Sequence, residues 1–358
     1  MGNWYSTTQP ERLGLDANWL NTAEWQSLAT SFASKGYHLY KYDAKRRRAY
    51  PPDAERNLDS EYPYARIVED CSADKEARLE FPVSRGMRVW PARDSLGHEV
   101  MIRLITKAGD PPDEWLIYKK LQEIFDDPRN HTLPAVAEAF YECCAFVVTP
   151  RWDTNAIGRT EIFYDNLAQI LDMTETFLEG LEFLHENRIA HCNIREENMV
   201  MNALTDMYQG YHHLRDRAEV QYAFIDFGSA IIFPEDTDIS QALIPRPVDA
   251  SILDEGTTKQ EMYNPFTEDV RLLMRVLQNH VRHIDCQVRG IESLFRNVLK
   301  PTSRPTASGT LASLRKIRQV YSESHLASSP KYLFWEPDGR HTPLKRFSPK
   351  LYAAYKYL

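Results

Sequence analysis

The stretch that most constrains the fold runs from Ile189 to Asn202 and reads IAHCNIREENMVMN, with FIDFGSA following at 224–230. Ahead of it, apolar residues recur at helical spacing and predict one buried helical stripe. These residues are Leu167, Ile170, Leu171, Leu178, Leu181 and Leu184. Behind it, MVM and YAFI are short apolar runs typical of strands. The order predicted is helix, polar loop, two strands and a second polar loop.

These two stretches resemble the catalytic loop and the metal loop of protein kinases, whose signature is H-R-D-L-x-x-x-N followed by D-F-G. In this chain the first motif runs from His191 to Asn198 and the second from Asp226 to Gly228. The resemblance implies that ATP and Mg²⁺ are the candidate ligands. It also implies that Asp226 and Asn198 hold the metal, because Mg²⁺ takes oxygen ligands such as a carboxylate or an amide oxygen.

One letter departs from the pattern, since Asn193 occupies the position of the catalytic Asp. An amide oxygen accepts a hydrogen bond, but Asn cannot act as a base near neutral pH. The position can therefore orient a hydroxyl but cannot take up its proton. Arg195 keeps a positive charge where many Ser/Thr kinases carry a Lys that contacts the transferred phosphate. Together with His191, these residues are the catalytic positions that the resemblance implies.

The segment before this loop resembles a kinase N-lobe with two substitutions. The strand Val100–Arg103 aligns with the kinase V-A-I-K strand, so Arg103 stands for the phosphate-binding Lys. Its planar fork is longer and bulkier than an ammonium group, so it either reaches the phosphates poorly or fills the pocket. Residues 82–90 contain one glycine instead of G-x-G-x-x-G, so the loop cannot bring its amides close over phosphates.

Four further positions follow from the same resemblance. Glu114, at the start of a predicted helix, is the expected partner of Arg103, although it could instead be only a favourable charge at the helix N-terminus. Pro150 and Arg151 fall at the hinge, where an adenine would contact the backbone. Asp269 matches the buried Asp that holds the backbone amides of the kinase catalytic loop.

The chain of 358 residues is expected to have an α+β, two-lobed protein-kinase-like fold, with a small β-rich N-lobe and a larger helical C-lobe. The predicted parts are an N-terminal extension (1–75), the N-lobe (76–150), the C-lobe (151–325) and a tail (326–358). A short helix with Trp25, Leu28 and Phe32, ending near Gly36, predicts that the extension packs on the N-lobe. This layout resembles a group of fungal protein-kinase-like proteins.

The composition of the chain bears on its partners and on its cellular compartment. A net charge of −8 does not suggest a nucleic-acid partner. Five cysteines without metal-ligand spacing indicate a reducing compartment, so we expect a cytoplasmic or nuclear protein. Residues 1–6 fit a loose N-myristoylation pattern and residues 45–48 are basic, so membrane contact is expected only if Gly2 is acylated. The alternative is an ordinary N-terminus and a solvated basic turn.

Three functions remain open from the sequence. The first is a pseudokinase, a scaffold or allosteric partner with lost or very weak phosphotransfer, for which ATP binding stays open. The second is a divergent Ser/Thr protein kinase that transfers the γ-phosphate of ATP to a protein hydroxyl and uses Asn193 only to orient it. The third is an interaction module that binds no nucleotide. The protein partner or substrate is unknown in each case.

Overall fold

A computed structural model describes the chain at 19–57, 61–67, 79–84, 87–106, 113–141, 144–152, 164–204, 215–216, 218–245, 262–335, 339 and 341–343. Gly2 lies outside these residues, as does Gly86 of the loop at 82–90. The chain forms two compact units. The first comprises Met1–Thr154, Val200–Gln209 and Ala223–Ile232, and the second comprises Asn155–Met199, Gly210–Tyr222 and Phe233–Leu358. The predicted extension and N-lobe therefore share one unit.

The chain is mixed α+β, which confirms the predicted class. The helices are α1 (Thr22–Ser27), α2 (Ala29–Ala33), α3 (Asp113–Glu123), α4 (Leu167–Glu186), α5 (Pro265–Val281), α6 (Ile291–Val298), α7 (Ala307–Arg318) and α8 (Glu323–Leu326). The strands are β1 (Tyr37–Leu39), β2 (Lys41–Asp43), β3 (Arg48–Tyr50), β4 (Arg66–Ile67), β5 (Phe81–Pro82), β6 (Val89–Asp94), β7 (Glu99–Thr106), β8 (Ala137–Tyr141), β9 (Cys144–Pro150), β10 (Ile189–Ala190), β11 (Met199–Met201), β12 (Ala203–Leu204), β13 (Tyr222–Phe224), β14 (Ile231–Ile232), β15 (Ile244–Pro245), β16 (Met262–Tyr263), β17 (Tyr332–Trp335) and β18 (His341–Pro343).

The first unit is built on a five-stranded antiparallel sheet with the order β1-β6-β7-β9-β8. The central strand β7 is buried along most of its length, as expected for a strand with neighbours on both sides. The tight turn between β6 and β7 depends on Gly97. Its φ is +87°, and a Cβ there would lie 2.4 Å from the backbone nitrogen of Asn57, so only glycine fits.

The N-terminal segment packs on this sheet, which confirms that prediction. Strand β1 pairs with β6 in the order Tyr37–Asp94 to Leu39–Ala92. The ring of Trp25 stacks on Trp90 with centroids 5.8 Å apart, and Phe32 meets Phe146 edge to face at 5.2 Å. Because these side chains are almost fully buried, the segment supplies part of the core of the unit.

The second unit is mainly helical and centres on α4. Asn166 is the N-cap of this helix, and its side chain accepts a hydrogen bond from the backbone amide of Gln169. The predicted apolar stripe is buried throughout. Helix α4 packs against α5 and α7, and Arg315 of α7 binds Glu175 and Glu179 of α4 at 2.7 Å each. The stripe therefore forms the core of this unit.

Part of the predicted tail is also ordered by packing. Strand β17 contacts α5 and the turn Arg282–Ile284. The guanidinium carbon of Arg282 lies 4.0 Å from the ring centroid of Trp335, which is 9% exposed. Trp335 therefore joins this part of the predicted tail to the second unit.

None of the helices in the described part of the chain is long and apolar enough to cross a membrane. The cytoplasmic or nuclear location remains a prediction.

Candidate functional site

Strand β7 places Arg103 in the middle of the sheet of the first unit. Arg103 lies opposite Val89 of β6 and Val147 of β9, and it is 8% exposed. A guanidinium in such a position must be paired, because an isolated buried charge is costly. The partners of Arg103 therefore determine what this part of the fold can bind.

The first partner is Glu114 on α3, so the predicted pairing is confirmed. Arg103 Nε donates a hydrogen bond to Glu114 Oε1. The other oxygen, Oε2, accepts a hydrogen bond from Arg88 Nη2 at 2.7 Å. Glu114 is 3% exposed, so it is a buried carboxylate held between two guanidinium groups and not only a charge at a helix N-terminus.

The second partner of Arg103 is Asp226, the predicted metal ligand. Arg103 Nη2 donates to Asp226 Oδ1 at 2.5 Å. Burial lowers the pKa of the Arg103 guanidinium, but the neighbouring charges, with Glu114 foremost, outweigh this effect and hold the pKa above its ordinary value. Asp226 itself lies in the left-handed region at φ 67°, a conformation uncommon for residues other than glycine. One planar group thus joins β7 to α3 and to the D-F-G segment.

The rest of the D-F-G segment packs around this ion-pair cluster. A Cβ added to Gly228 would lie 2.7 Å from both Arg103 Nη2 and Arg88 Nη1. Phe227 is 1% exposed and meets Tyr118 of α3 edge to face at 5.7 Å. Burial raises the pKa of the Tyr118 hydroxyl above its ordinary value. Tyr118 is 6% exposed, so it belongs to the core of the first unit.

The residues around Asp226 do not fit the Mg²⁺ that the resemblance implies. A divalent cation needs carboxylate oxygens that are open to it, and Asp226 Oδ1 already accepts a charge-assisted hydrogen bond from Arg103. Arg88 adds a second positive charge beside Gly228. Among the described residues, no group of three or more His, Cys, Asp or Glu side chains is arranged to hold a metal.

The catalytic-like loop belongs to the second unit, where Asp269 of α5 holds it. Asp269 Oδ2 accepts a hydrogen bond from the amide of His191 at 2.7 Å, and Oδ1 accepts one from the amide of Cys192 at 2.8 Å. His185 Nε2 lies 3.3 Å from Oδ2. Asp269 is fully buried, so the predicted role of this residue in holding the loop backbone is confirmed.

The loop also fixes the remaining predicted positions. The backbone N–H of Asn193 donates a hydrogen bond to His191 Nδ1 at 3.3 Å. Asn198 is 5% exposed, and its Nδ2 donates to the carbonyl of Asn193 at 2.8 Å. This leaves the amide oxygen of Asn198 as the atom that could bind a cation. Arg195 is exposed, and its carbonyl accepts a hydrogen bond from the amide of Asn198 at 2.9 Å.

The predicted hinge residues Pro150 and Arg151 lie at the end of β9 in the first unit. Pro150 is opposite Val100, and the amide of Arg151 donates to the carbonyl of Glu99 at 3.0 Å. The Arg151 side chain donates to Tyr40 Oη at 3.0 Å. Because the Arg151 amide is already paired, an adenine in this region would need a different backbone donor.

A separate polar network beneath the hinge was not predicted. Tyr40 Oη donates to Glu99 Oε2 at 2.5 Å, and Arg93 Nε donates to Glu99 Oε1 at 2.8 Å. All three residues are at most 4% exposed. The network ties the N-terminal segment to β6 and β7. The sequence gives little signal for this network, because Tyr40 and Glu99 are 59 residues apart and belong to no common motif.

A cleft of about 910 Å³ lies within the second unit. It is bordered by the end of α4, the segment 239–243, strand β16, the start of α5 and the segment 301–308. Leu243 and Met262 line it and are 57% and 50% exposed. None of the ten site residues named from the sequence lines this cleft, so it is distinct from the motif-bearing loops.

The scan against models of known protein families gives no match, and the search of curated proteins also gives none. The kinase resemblance therefore rests on the sequence motifs.

Proposed function

We propose that the chain adopts a two-lobed protein-kinase-like fold and acts as a pseudokinase, a scaffold or allosteric partner of another protein without effective phosphotransfer. The observation that carries this proposal is that Asp269 holds the backbone of His191 and Cys192, while the next residue, in the base position, is Asn193. The scaffold of a catalytic loop is kept, and the group that would take the proton is absent.

The chemistry of phosphoryl transfer supports this reading. Catalysis consists mainly of positioning the reactants and neutralising charge, and loss of a general base alone reduces the rate by about 10²- to 10⁴-fold. This chain has two such defects. Asn193 replaces the base, and the Arg103 guanidinium donates a hydrogen bond to Asp226, the proposed metal ligand. Proton removal and metal binding are therefore both impaired, and binding to a protein partner is the role that remains.

A second candidate is a divergent Ser/Thr protein kinase. Asn198, a predicted metal ligand, is buried and bonded to the carbonyl of Asn193, and Arg195 is exposed beside it. In this case Asn193 would orient a protein hydroxyl, and the γ-phosphate of Mg²⁺-bound ATP would be transferred to it. A third candidate, an interaction module that binds no nucleotide, is favoured by the Arg103–Asp226 ion pair.

Two measurements on the purified chain separate these candidates. The first is phosphate incorporation from Mg-ATP into a general protein substrate, with Asp226→Ala as the test variant and the exposed Asp236→Asn as the control. We expect no incorporation. Incorporation by the wild type and by the control, lost in Asp226→Ala, would refute the pseudokinase and support the second candidate.

The second measurement is thermal unfolding with millimolar ATP in Mg²⁺, Mn²⁺ or chelator. A ligand at a hundred times its dissociation constant stabilises the folded state by about 2.7 kcal/mol, which a melting experiment resolves. An upward shift without phosphotransfer would support a nucleotide-binding pseudokinase. The same melting temperature under all conditions would support the module that binds no nucleotide.

A further inference from the structure

We propose that Arg103 takes the place of a divalent cation at Asp226, so that the D-F-G segment is held by a guanidinium group and binds no metal. The inference rests on the proposed function, because it explains how a kinase-like site is kept folded without its metal. It concerns only Arg88, Arg103, Glu114, Asp226 and Gly228, which all belong to the first unit.

The geometry of the guanidinium carries the first step. Nε of Arg103 binds Glu114 while Nη2 binds Asp226, so both carboxylates are reached from one rigid plane. An ammonium group has its donors on a single atom, whereas the fork of Arg presents them on separate nitrogens. Arg at this position can therefore bind two carboxylates through two different nitrogens. A Lys has only one nitrogen, so binding to Glu114 would compete with binding to Asp226.

Charge balance carries the second step. The cluster contains two guanidinium groups, of Arg88 and Arg103, and two carboxylates, of Glu114 and Asp226. Its formal charge is therefore zero without any added ion. A divalent cation on Asp226 would face the Arg103 guanidinium at short range in a part-buried setting, where repulsion between like charges is weakly screened.

Packing carries the third step. Gly228 leaves room for Arg88 and Arg103 on one side, since a Cβ there would lie 2.7 Å from a nitrogen of each. Arg103 is 8% exposed and Glu114 is 3% exposed. The guanidinium cannot swing away from Asp226 without leaving Glu114 with a single partner. The ion pair therefore lies at the edge of the core, where the Asp226 side chain is 26% exposed and the Arg103 guanidinium is held in place by Glu114.

The test uses Mn²⁺ as the probe and counts bound ions on the full chain by electron paramagnetic resonance. We expect no Mn²⁺ binding by the wild type that depends on Asp226. Arg103→Lys should keep a charge beside Glu114 and release Asp226, so Mn²⁺ affinity should rise by roughly ten- to hundredfold, the equivalent of one charge-assisted hydrogen bond. The gain should disappear in Arg103→Lys combined with Asp226→Asn.

Arg88→Lys is the matched control, because it changes the other guanidinium and leaves the Arg103–Asp226 bond in place; it should gain no Mn²⁺ affinity. Circular dichroism and melting temperature check that each variant is folded, and Arg103→Gln serves if Arg103→Lys does not fold. Mn²⁺ binding by the wild type that is lost in Asp226→Asn would overturn the inference, as would folded Arg103 variants without any gain. Mn²⁺ binding without phosphotransfer would contradict this inference alone, whereas Mg-ATP-dependent phosphotransfer by the wild type would contradict the proposed function.

Discussion

The carboxylate of Asp269 accepts a hydrogen bond from the backbone amide of His191 at 2.7 Å, and the amide of Cys192 donates to its other oxygen. Replacing Asp269 with Ala leaves two buried N–H groups without these acceptors. Because an unsatisfied buried donor costs about 1–3 kcal/mol, we expect Asp269→Ala to lower the free energy of unfolding by about 2–5 kcal/mol. Urea denaturation measures this change.

The control for Asp269→Ala is Asp236→Asn, a substitution at an exposed carboxylate. It should change the free energy of unfolding by at most about 0.5 kcal/mol. Asp269→Asn should fall between the two, because its amide supplies one acceptor where the carboxylate supplies two. Equal stability of Asp269→Ala and the wild type would show that these bonds do not hold the loop.

The Trp25 side chain makes the N-terminal segment part of the core of the first unit. It is fully buried, stacks on Trp90 and donates from Nε1 to the carbonyl of Met87 at 3.1 Å. We expect Trp25→Ala to lower the free energy of unfolding by about 3–5 kcal/mol. Trp19→Ala, at a position that is 42% exposed, is the comparison and should have a clearly smaller effect in the same denaturation experiment.

Gly228 is constrained by the two guanidinium groups beside it. A methyl group would meet Arg103 Nη2 and Arg88 Nη1 at 2.7 Å and Asp226 Oδ1 at 3.4 Å. Gly228 is exposed, but the two guanidinium ends that would have to shift are held in ion pairs. We therefore expect Gly228→Ala to lower the free energy of unfolding by about 1 kcal/mol, the low end of the cost of an added methyl group. Ser229→Ala, at the exposed neighbouring residue, should be neutral. A neutral Gly228→Ala would mean that the ion-pair cluster shifts freely.

The thiol of Cys192 should react more slowly than the exposed thiol of Cys286. Burial, together with the charge of Asp269, raises the pKa of Cys192 above its ordinary value, whereas Cys286 is exposed. A raised thiol pKa means less thiolate at a given pH, and the thiolate is the reactive form. Between neutral pH and about 9, alkylation by iodoacetamide should therefore stay slow at Cys192, and slower than at the exposed Cys286.

Mass spectrometry of the alkylated peptides follows both sites in one sample. Asp269→Asn removes a negative charge next to Cys192, so it should increase labelling of Cys192 in the folded protein. Labelling of both thiols at the same rate in the wild type would contradict the buried setting of Cys192.

Patterns along the chain predicted much of the fold because they depend on local spacing. The apolar stripe of α4 predicted a buried helix from its spacing alone. The pairing of Glu114 with Arg103 was implied instead by the resemblance to kinases, and the two side chains are paired in the structure. The role of Asp269 was also implied by that resemblance, and its carboxylate is buried and accepts hydrogen bonds from two backbone amides. In each case the sequence position and a known structural requirement together define the contact.

Contacts between distant residues with no local signature were not predicted. Nothing in the sequence singles out Arg88 as a partner of Glu114, because its role depends on the register of β6 against β7. The bond between Arg103 and Asp226 spans 123 residues. The sequence left open whether Arg103 reaches phosphates poorly or fills the pocket. That question depends on where the side chains of Arg103 and Asp226 lie, which the sequence does not give.

The Arg103–Asp226 bond also limits what can be gained by restoring the base. Asn193→Asp would supply a carboxylate at the base position, but the Asp226 oxygen would still be held by Arg103. Because phosphoryl transfer also needs the metal that Asp226 would bind, we expect no phosphate incorporation from Mg-ATP by this variant. Asn193→Ser is the matched control, because it also replaces the amide but supplies no carboxylate.

The same assay on Asn193→Asp combined with Arg103→Lys tests the cause. This double variant frees Asp226 and supplies the base. If phosphotransfer is recovered in any of these variants, we expect it in the double variant. Adding Asp226→Ala to the double variant should abolish that phosphotransfer. Activity in Asn193→Asp alone would mean that Asp226 binds Mg²⁺ despite Arg103. The base position would then be the main defect of the site, and the ion pair would be only a contact that the metal displaces.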